Sequence, residues 1–198
     1  MITIRDAQSD DAGQIAPPLI DIIFDEMQLE ELEDVPEPGL AKVITKAYQT
    51  DTYLFDKAST VVAEADGQVV GGVMFGYPSE NEGTINQVLY NLSKQSADFK
   101  TPFIADSETN SDEWYLDSIA VRPDYQGCGV GSRLLKTVPN VALNDGKKTV
   151  GLNVDFENPN AKKLYERNGF ETVGTQMIGD HLYYHMQKAA TVSEPVYA

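Results

Sequence analysis

The stretch that most constrains the fold is "WYLDSIAVRPDYQGCGVGSRLLKTV", residues 114–138. A run rich in β-formers leads into glycines at 127, 129 and 131, and these lead into apolar residues at helical spacing. The order predicts strand, tight loop and helix, with Leu134, Leu135 and Val138 on the buried helix face. At a helix N-terminus the first amides lack intrahelical acceptors and the dipole is positive, so a loop of small residues there can bind an anion. A nucleotide P-loop would need a lysine after its last glycine, but Gly131 is followed by Ser132 and Arg133. The dinucleotide pattern GxGxxG begins with Gly127 and Gly129, yet Ser132 takes its last glycine position and the loop lies late in the chain. Cys128 lies within the loop and is not read as a nucleophile.

The rest of the chain reads as alternating elements of one domain spanning 1–188, with 189–198 as a C-terminal tail. "MITIRDA" alternates apolar and polar residues as a first strand, and Ser9 or Asp10 is placed to cap the segment after it. Pro17 and Pro18 predict that the following helix restarts there and carries Leu19, Ile20, Ile23, Phe24 and Met27 toward the acidic loop "ELEDVPEPG". Leu40, Val43, Ile44, Ala47 and Tyr48 give a second helix. "STVVAEADGQVVGGVMFGYP" is a hairpin turning at Asp66 and Gly67. An inserted connection at about 78–112 follows, with Ile85, Val88, Leu89 and Leu92 at helical spacing; it is either a surface excursion packed on the core or a flap over a site. Pro139 predicts a kink or an early end in the helix after the glycine loop, since it removes a donor at a cost of roughly 3 kcal/mol. "TVGLNV", "GFETVG" and "HLYYHMQK" are the closing strands.

Composition narrows the function classes. A formal net charge of −16 argues against a nucleic-acid partner. The charge is uneven: residues 1–117 hold 6 Lys and Arg against 23 Asp and Glu, whereas residues 118–198 hold 9 against 8. Either the acidic half only aids solubility, or it faces a cationic partner while the other half receives an anionic one. No apolar run is long enough to span a bilayer, so a cytoplasmic protein with no membrane partner is expected. One cysteine and two histidines, His181 and His185, make a disulfide or a dedicated metal site unexpected.

A second constellation, "NPNAKKLYERNGF" at residues 158–170, has both helix ends written in: Asn158 as N-cap, Pro159 at the first turn, Gly169 as a left-handed stop. Ala161, Leu164 and Tyr165 share one face, which by itself describes a core aromatic.

The stretch "AVRPDYQGCGVGSRLL" resembles the acetyl-coenzyme A loop of the GNAT N-acetyltransferase superfamily, Q/R-x-x-G-x-G/A, through Gln126, Gly129 and Gly131. The similarity extends upstream to "SIAV" and Pro123 and downstream through residues 158–170. It implies an α/β (α+β) GNAT-type fold: a central mixed, mostly antiparallel sheet, with a parallel pair splayed around the coenzyme, flanked by helices. It also implies acetyl-CoA as cosubstrate, no metal, and transfer to a primary amine (a small molecule, polyamine, amino sugar or peptide amine) by direct attack in a ternary complex. The pyrophosphate falls to Gly127, Cys128, Gly129, Val130, Gly131 and Ser132 with Gln126 shaping the turn; Ile119, Ala120 and Val121 lie along the pantetheine arm, and Asn158 contacts it. The resemblance makes Tyr165 the acid for the departing thiolate and the Ile119 amide the oxyanion donor. Strand alternation puts Tyr115, Asp117, Ile119 and Val121 on one face, so Asp117 is the candidate base or amine-holding carboxylate, with Glu113 a weaker one. A non-catalytic acyl-CoA sensor, or transfer of a longer acyl group, is the alternative, and a homodimer is a family-level expectation only.

Overall fold

The structure, a computed structural model, describes residues 2–22 and 35–192. Ile23, Phe24, Met27 and the end of the predicted tail lie outside the described residues. Seven strands form one sheet in the order β1-β2-β3-β4-β5-β7-β6. They are β1 (Thr3–Asp6), β2 (Ser59–Ala65), β3 (Gln68–Pro78), β4 (Trp114–Val121), β5 (Thr149–Asp155), β6 (Glu171–Ile178) and β7 (His181–Ala189). Every neighbouring pair is antiparallel except β4 and β5. Among the described residues, five α-helices join them: α1 (Ala12–Ile22), α2 (Glu37–Ala47), α3 (Glu82–Lys94), α4 (Val130–Asn144) and α5 (Pro159–Arg167).

Period-two alternation divides the core between the two sheet faces. On β2, Val62 belongs to the cluster under α1, α2 and α3, while Val61 and Ala63 belong to the cluster under α4 and α5. The β2–β3 hairpin turns at Asp66 and Gly67, whose φ values of 52° and 76° are the left-handed pair that a two-residue hairpin turn requires.

Three local expectations are corrected. The α1 segment is entered from Gln8, whose amide donates to Asp11 Oδ2 at 2.8 Å, rather than from a Ser9 or Asp10 cap. Asp11 is also gripped by Arg5, at 2.7 and 2.9 Å, and that guanidinium holds its carboxyl below the ordinary value. Helix α1 does not restart at the prolines but runs through Pro17 and Pro18, because Ala12, Ile15, Ala16, Leu19 and Ile20 are buried along its length and packing outweighs the lost donors. Helix α4 likewise continues past Pro139 to Asn144; Leu134, Leu135, Val138, Pro139 and Ala142 form its buried stripe.

The parallel pair does not stay together. Pairing of β4 with β5 is confined to Trp114 with Val150 and Tyr115 with Gly151, so the two strands part beyond Tyr115. At the same level the β3–β4 register shifts: Gly76 faces Leu116 but Phe75 faces Ser118, leaving Asp117 as an extra residue. Such a bulge bends its strand and re-aims the side chains after it. Tyr115 accordingly belongs to the α1–α3 side, whereas Ile119 and Val121 pack on the α4–α5 side. The expected common face of Tyr115, Asp117, Ile119 and Val121 is therefore broken at the bulge.

Candidate active site

The wedge between the parted strands is occupied by two connected spaces. Ile119, Asn158, Ala161 and Tyr165 line both. The outer space, about 620 Å3, runs along the end of β4, the glycine loop and the exposed side of α5. The inner one, about 240 Å3, lies beneath α1, α2 and α3.

In the outer space, Gln126 donates from Nε2 to the carbonyl of Val121 at 3.0 Å, tying the loop back to the strand it left. Gly127 and Gly129 have φ of 73° and 81°, and Gly129 is the N-cap of α4. A side chain at either position would face open space, so backbone conformation, not crowding, requires glycine there. Gly131 differs: a Cβ on it would sit 3.6 Å from Val121 and 3.8 Å from Leu164, at ordinary contact. Val130 is buried and anchors the helix start, and Ser132 lines the space with Ile119, Ala120 and Val121. Cys128 is exposed and is not among the lining residues, and its amide donates to Tyr125 O at 3.4 Å, within the turn. Arg122, which pairs with Asp124 at 3.1 Å, lines this space. Arg167, which the sequence had not singled out, does so as well; Arg133 and Lys136 do not. The first amides of α4 thus face a groove with guanidinium groups on its walls, the surroundings a pyrophosphate needs.

At the junction, Asn158 caps α5 by accepting the Ala161 amide at 3.0 Å. Tyr165 is nearly buried, with its ring packed edge-on against Phe170 at 5.9 Å between centroids.

The inner space has an acidic floor set in aromatic walls. Asp117 accepts from the Tyr77 hydroxyl at 3.0 Å and from the Ser118 hydroxyl at 2.5 Å. Tyr115 donates to Glu108 at 2.7 Å, and the two tyrosine rings meet edge-on at 5.8 Å. Glu108 comes from the inserted connection and was not anticipated from the sequence. Every polar part of it is held. Its amide donates to Glu82 at 2.7 Å, its carbonyl accepts from Asn153 at 2.9 Å and Gln176 at 2.8 Å, and its carboxylate takes the Tyr115 hydroxyl. Glu82 also accepts from Ser107 and from the Thr109 amide and hydroxyl. The connection is therefore latched to α3, β5 and β6 as a fixed wall, and it carries a carboxylate into the site.

Desolvation and the nearby Asp117 charge raise the Glu108 carboxyl to about 8. Desolvation also raises Asp117, against the pull of its Ser118 and Tyr77 hydrogen bonds. Two carboxyls facing one space resist ionising together, which adds to the upward shift of both, although Asp117 keeps an exposed surface and Glu108 is only half-buried.

Glu113 takes no part in this floor. It is buried just before β4, where it accepts from the Asn110 amide at 2.7 Å and from Gln187 at 2.8 Å, with His185 Nε2 at 3.1 Å. A Cβ at Gly151 would come within 2.0 Å of it, so the neighbouring strand leaves it room only as glycine. His185 continues through Asn153 to Tyr115, at 2.7 and 3.0 Å, and so orders the hydroxyl that holds Glu108. His181 lies against Asp155 at 3.0 Å. Among the described residues, no helix is long and apolar enough to cross a membrane.

The comparisons agree with this architecture. The acetyltransferase (GNAT) family model matches residues 23–170. A thialysine N-epsilon-acetyltransferase of Sus scrofa is 28% identical over 186 residues, covering 92% of this chain and 91% of that protein. The protein of the same name from Bos taurus is 38% identical over only 69 residues, 35% of this chain and 40% of that one. A solved structure described as an acetyltransferase superposes with a TM-score of 0.80 at 39% identity, covering 96% of this chain and 100% of its own.

Proposed function

Because the chain belongs to the acetyltransferase (GNAT) family, we propose that it moves an acetyl group from acetyl-CoA to a primary amine by direct attack within a ternary complex. The observation that carries the reading is the parting of β4 from β5, with an anion cradle at one end, a carboxyl floor at the other and Tyr165 between them. The residues fit the coenzyme: α4 offers unsatisfied amides behind Gly127 and Gly129, and the β5-facing edge of β4 has no strand partner beyond Tyr115. Acetyl-CoA supplies an activated acyl group whose thioester carbon takes the amine.

The chain's own groups then have four tasks. The loop from Gln126 to Ser132 holds the pyrophosphate, and the Ile119–Val121 backbone with Asn158 aligns the arm, which converts an encounter of two molecules into one oriented complex. Asp117 receives the proton that the ammonium must lose, directly or through water. The Ile119 amide is the donor for negative charge growing on the carbonyl oxygen. Tyr165 supplies the proton to the departing sulfur and is reprotonated by the second proton that the nitrogen sheds on becoming an amide, so that thiol, amide and neutral Tyr165 result and the one net proton leaves through Asp117 to solvent.

Thiol release from acetyl-CoA, measured across a panel of amines, tests the reading. The expected result is amine-dependent release, with kcat lowered by on the order of tenfold or more in Tyr165→Phe. An unchanged kcat and pH profile in that variant would remove Tyr165 from the acid role. Tight acetyl-CoA binding with no release for any amine would mark a sensor, and faster turnover of longer acyl-CoA thioesters would mark a different donor.

A further inference from the structure

The inner space narrows the acceptor beyond "an amine". Among the described residues, those lining it include no Lys, Arg or His. The chain between α1 and α2 cannot add one, since residues 23–34 hold six acidic residues and no basic ones. An acceptor carrying a carboxylate would find no cation to pair with and the Glu108 and Asp117 carboxyls nearby to repel it.

Among the described residues, five acidic ones border the space: Glu82, Asp106, Glu108, Asp117 and Asp155. Three are tied into the surrounding frame. Glu82 accepts the four donors of the 107–109 turn, Asp106 accepts the Gly179 amide at 2.8 Å, and Asp155 holds His181 and the Glu157 amide. Glu108 and Asp117 remain, each held by one tyrosine hydroxyl on adjoining strands. The groups facing Glu108 are Asp117 and Tyr115 on β4, Tyr77 on β3, Glu82 on α3 and its own neighbour Asp106; none is a cation. Glu108 and Asp117 thus form one seat for an ammonium, and a second ammonium further along the acceptor would fall against apolar side chains.

Away from this floor the walls are apolar. Tyr48, Tyr53 and Phe75 form a packed triad with centroids 4.7–5.4 Å apart, and Leu19, Val43 and Ile85 complete that side. The volume, about 240 Å3, lies below the usual range for drug-sized ligands.

We propose that the acceptor is a primary amine borne on a small apolar body without a carboxylate, its nitrogen held by Glu108 and Asp117 and its body against the Tyr48, Tyr53 and Phe75 wall. The proposal rests on the acetyltransferase reading above and names the substrate class of that site. It sets this chain apart from relatives named for thialysine, which is an amino acid.

Initial rates of thiol release with acetyl-CoA are compared for 2-phenylethylamine and hexylamine, for 1,6-diaminohexane, and for lysine. Binding of the same amines to the CoA-saturated protein is read in parallel by calorimetry. The two monoamines should exceed the diamine and lysine in kcat/KM by on the order of tenfold or more. Asp117→Asn should weaken the calorimetric binding of 2-phenylethylamine by a similar factor while leaving the binding of acetyl-CoA unchanged, and normal acetyl-CoA binding also certifies that the variant is folded. If the monoamines bind best but no thiol is released, the amine seat stands and the acetyltransferase reading falls. If the diamine or lysine is preferred in either readout, or no amine binds, the proposal is overturned.

Discussion

Glu108 shows how a single side chain can be assembled from distant sequence. Its amide, carbonyl and carboxylate are each fixed by a different element, and the consequence is a carboxyl held up at about 8 in the folded chain against 4.5 as its ordinary value. A raised carboxyl favours the folded state when protonated, so its contribution is complete below about 4.5 and is lost as the pH rises through about 8. Glu108→Gln, which keeps the shape and cannot ionise, should be relatively more stable than the native chain at pH 9 than at pH 5. Melting temperatures across that range check this. A difference of on the order of 1 kcal/mol would appear as a few degrees in a chain of this size, and parallel curves for the two proteins would show that Glu108 does not titrate between its folded and unfolded states. Nothing in the sequence marked this residue. It sits in a polar stretch without periodicity, and its importance arises from Tyr115, Asn153, Gln176 and Glu82, which lie 7 to 68 positions away. Asp117, in contrast, was legible from its place in the strand before the glycine loop, although for an incomplete reason. Simple alternation would have carried Ile119 and Val121 to the same face, and the bulge that separates them depends on the register with β3.

The elements themselves were easier to read than their details. Strands β2 and β3, helix α2 and the strand, loop and helix around Gly129 follow from period and turn chemistry. The errors fell at Pro17, Pro18 and Pro139, where the local penalty is real but helices buried along one face absorb it. For the glycine loop the strain can be put to a test. Gly129→Ala places a side chain at φ of 81°, which costs on the order of 1–2 kcal/mol, and the loop would relax away from the shape proposed to hold the pyrophosphate. The KM for acetyl-CoA should rise by about tenfold with kcat little changed. Gly131→Ala, where the added methyl makes only ordinary contact, should raise it much less. Equal effects from the two substitutions would mean that crowding, rather than backbone conformation, sets the requirement for glycine in this loop.

At the scale of the whole molecule, the division of charge noted in the sequence coincides with the division of the wedge. The acidic residues 1–117 supply α1, α2, α3 and the carboxyl floor, and the nearly balanced residues 118–198 supply the anion cradle. Long-range attraction of a cationic amine is screened over about 10 Å at 0.1 M salt. The KM for an amine acceptor should therefore climb several-fold as salt is raised from low ionic strength to ~0.5 M, with kcat nearly constant. A KM independent of salt would leave the acidity with no role beyond solubility. The parting of β4 from β5 has one more consequence. With only two residue pairs bridging them, the sheet is two wings on a short pivot, and the coenzyme proposed to lie between the wings would stand in for the missing rungs. It would then serve as a structural member of the protein for as long as it stayed, and its departure would return the wings to their narrow joint.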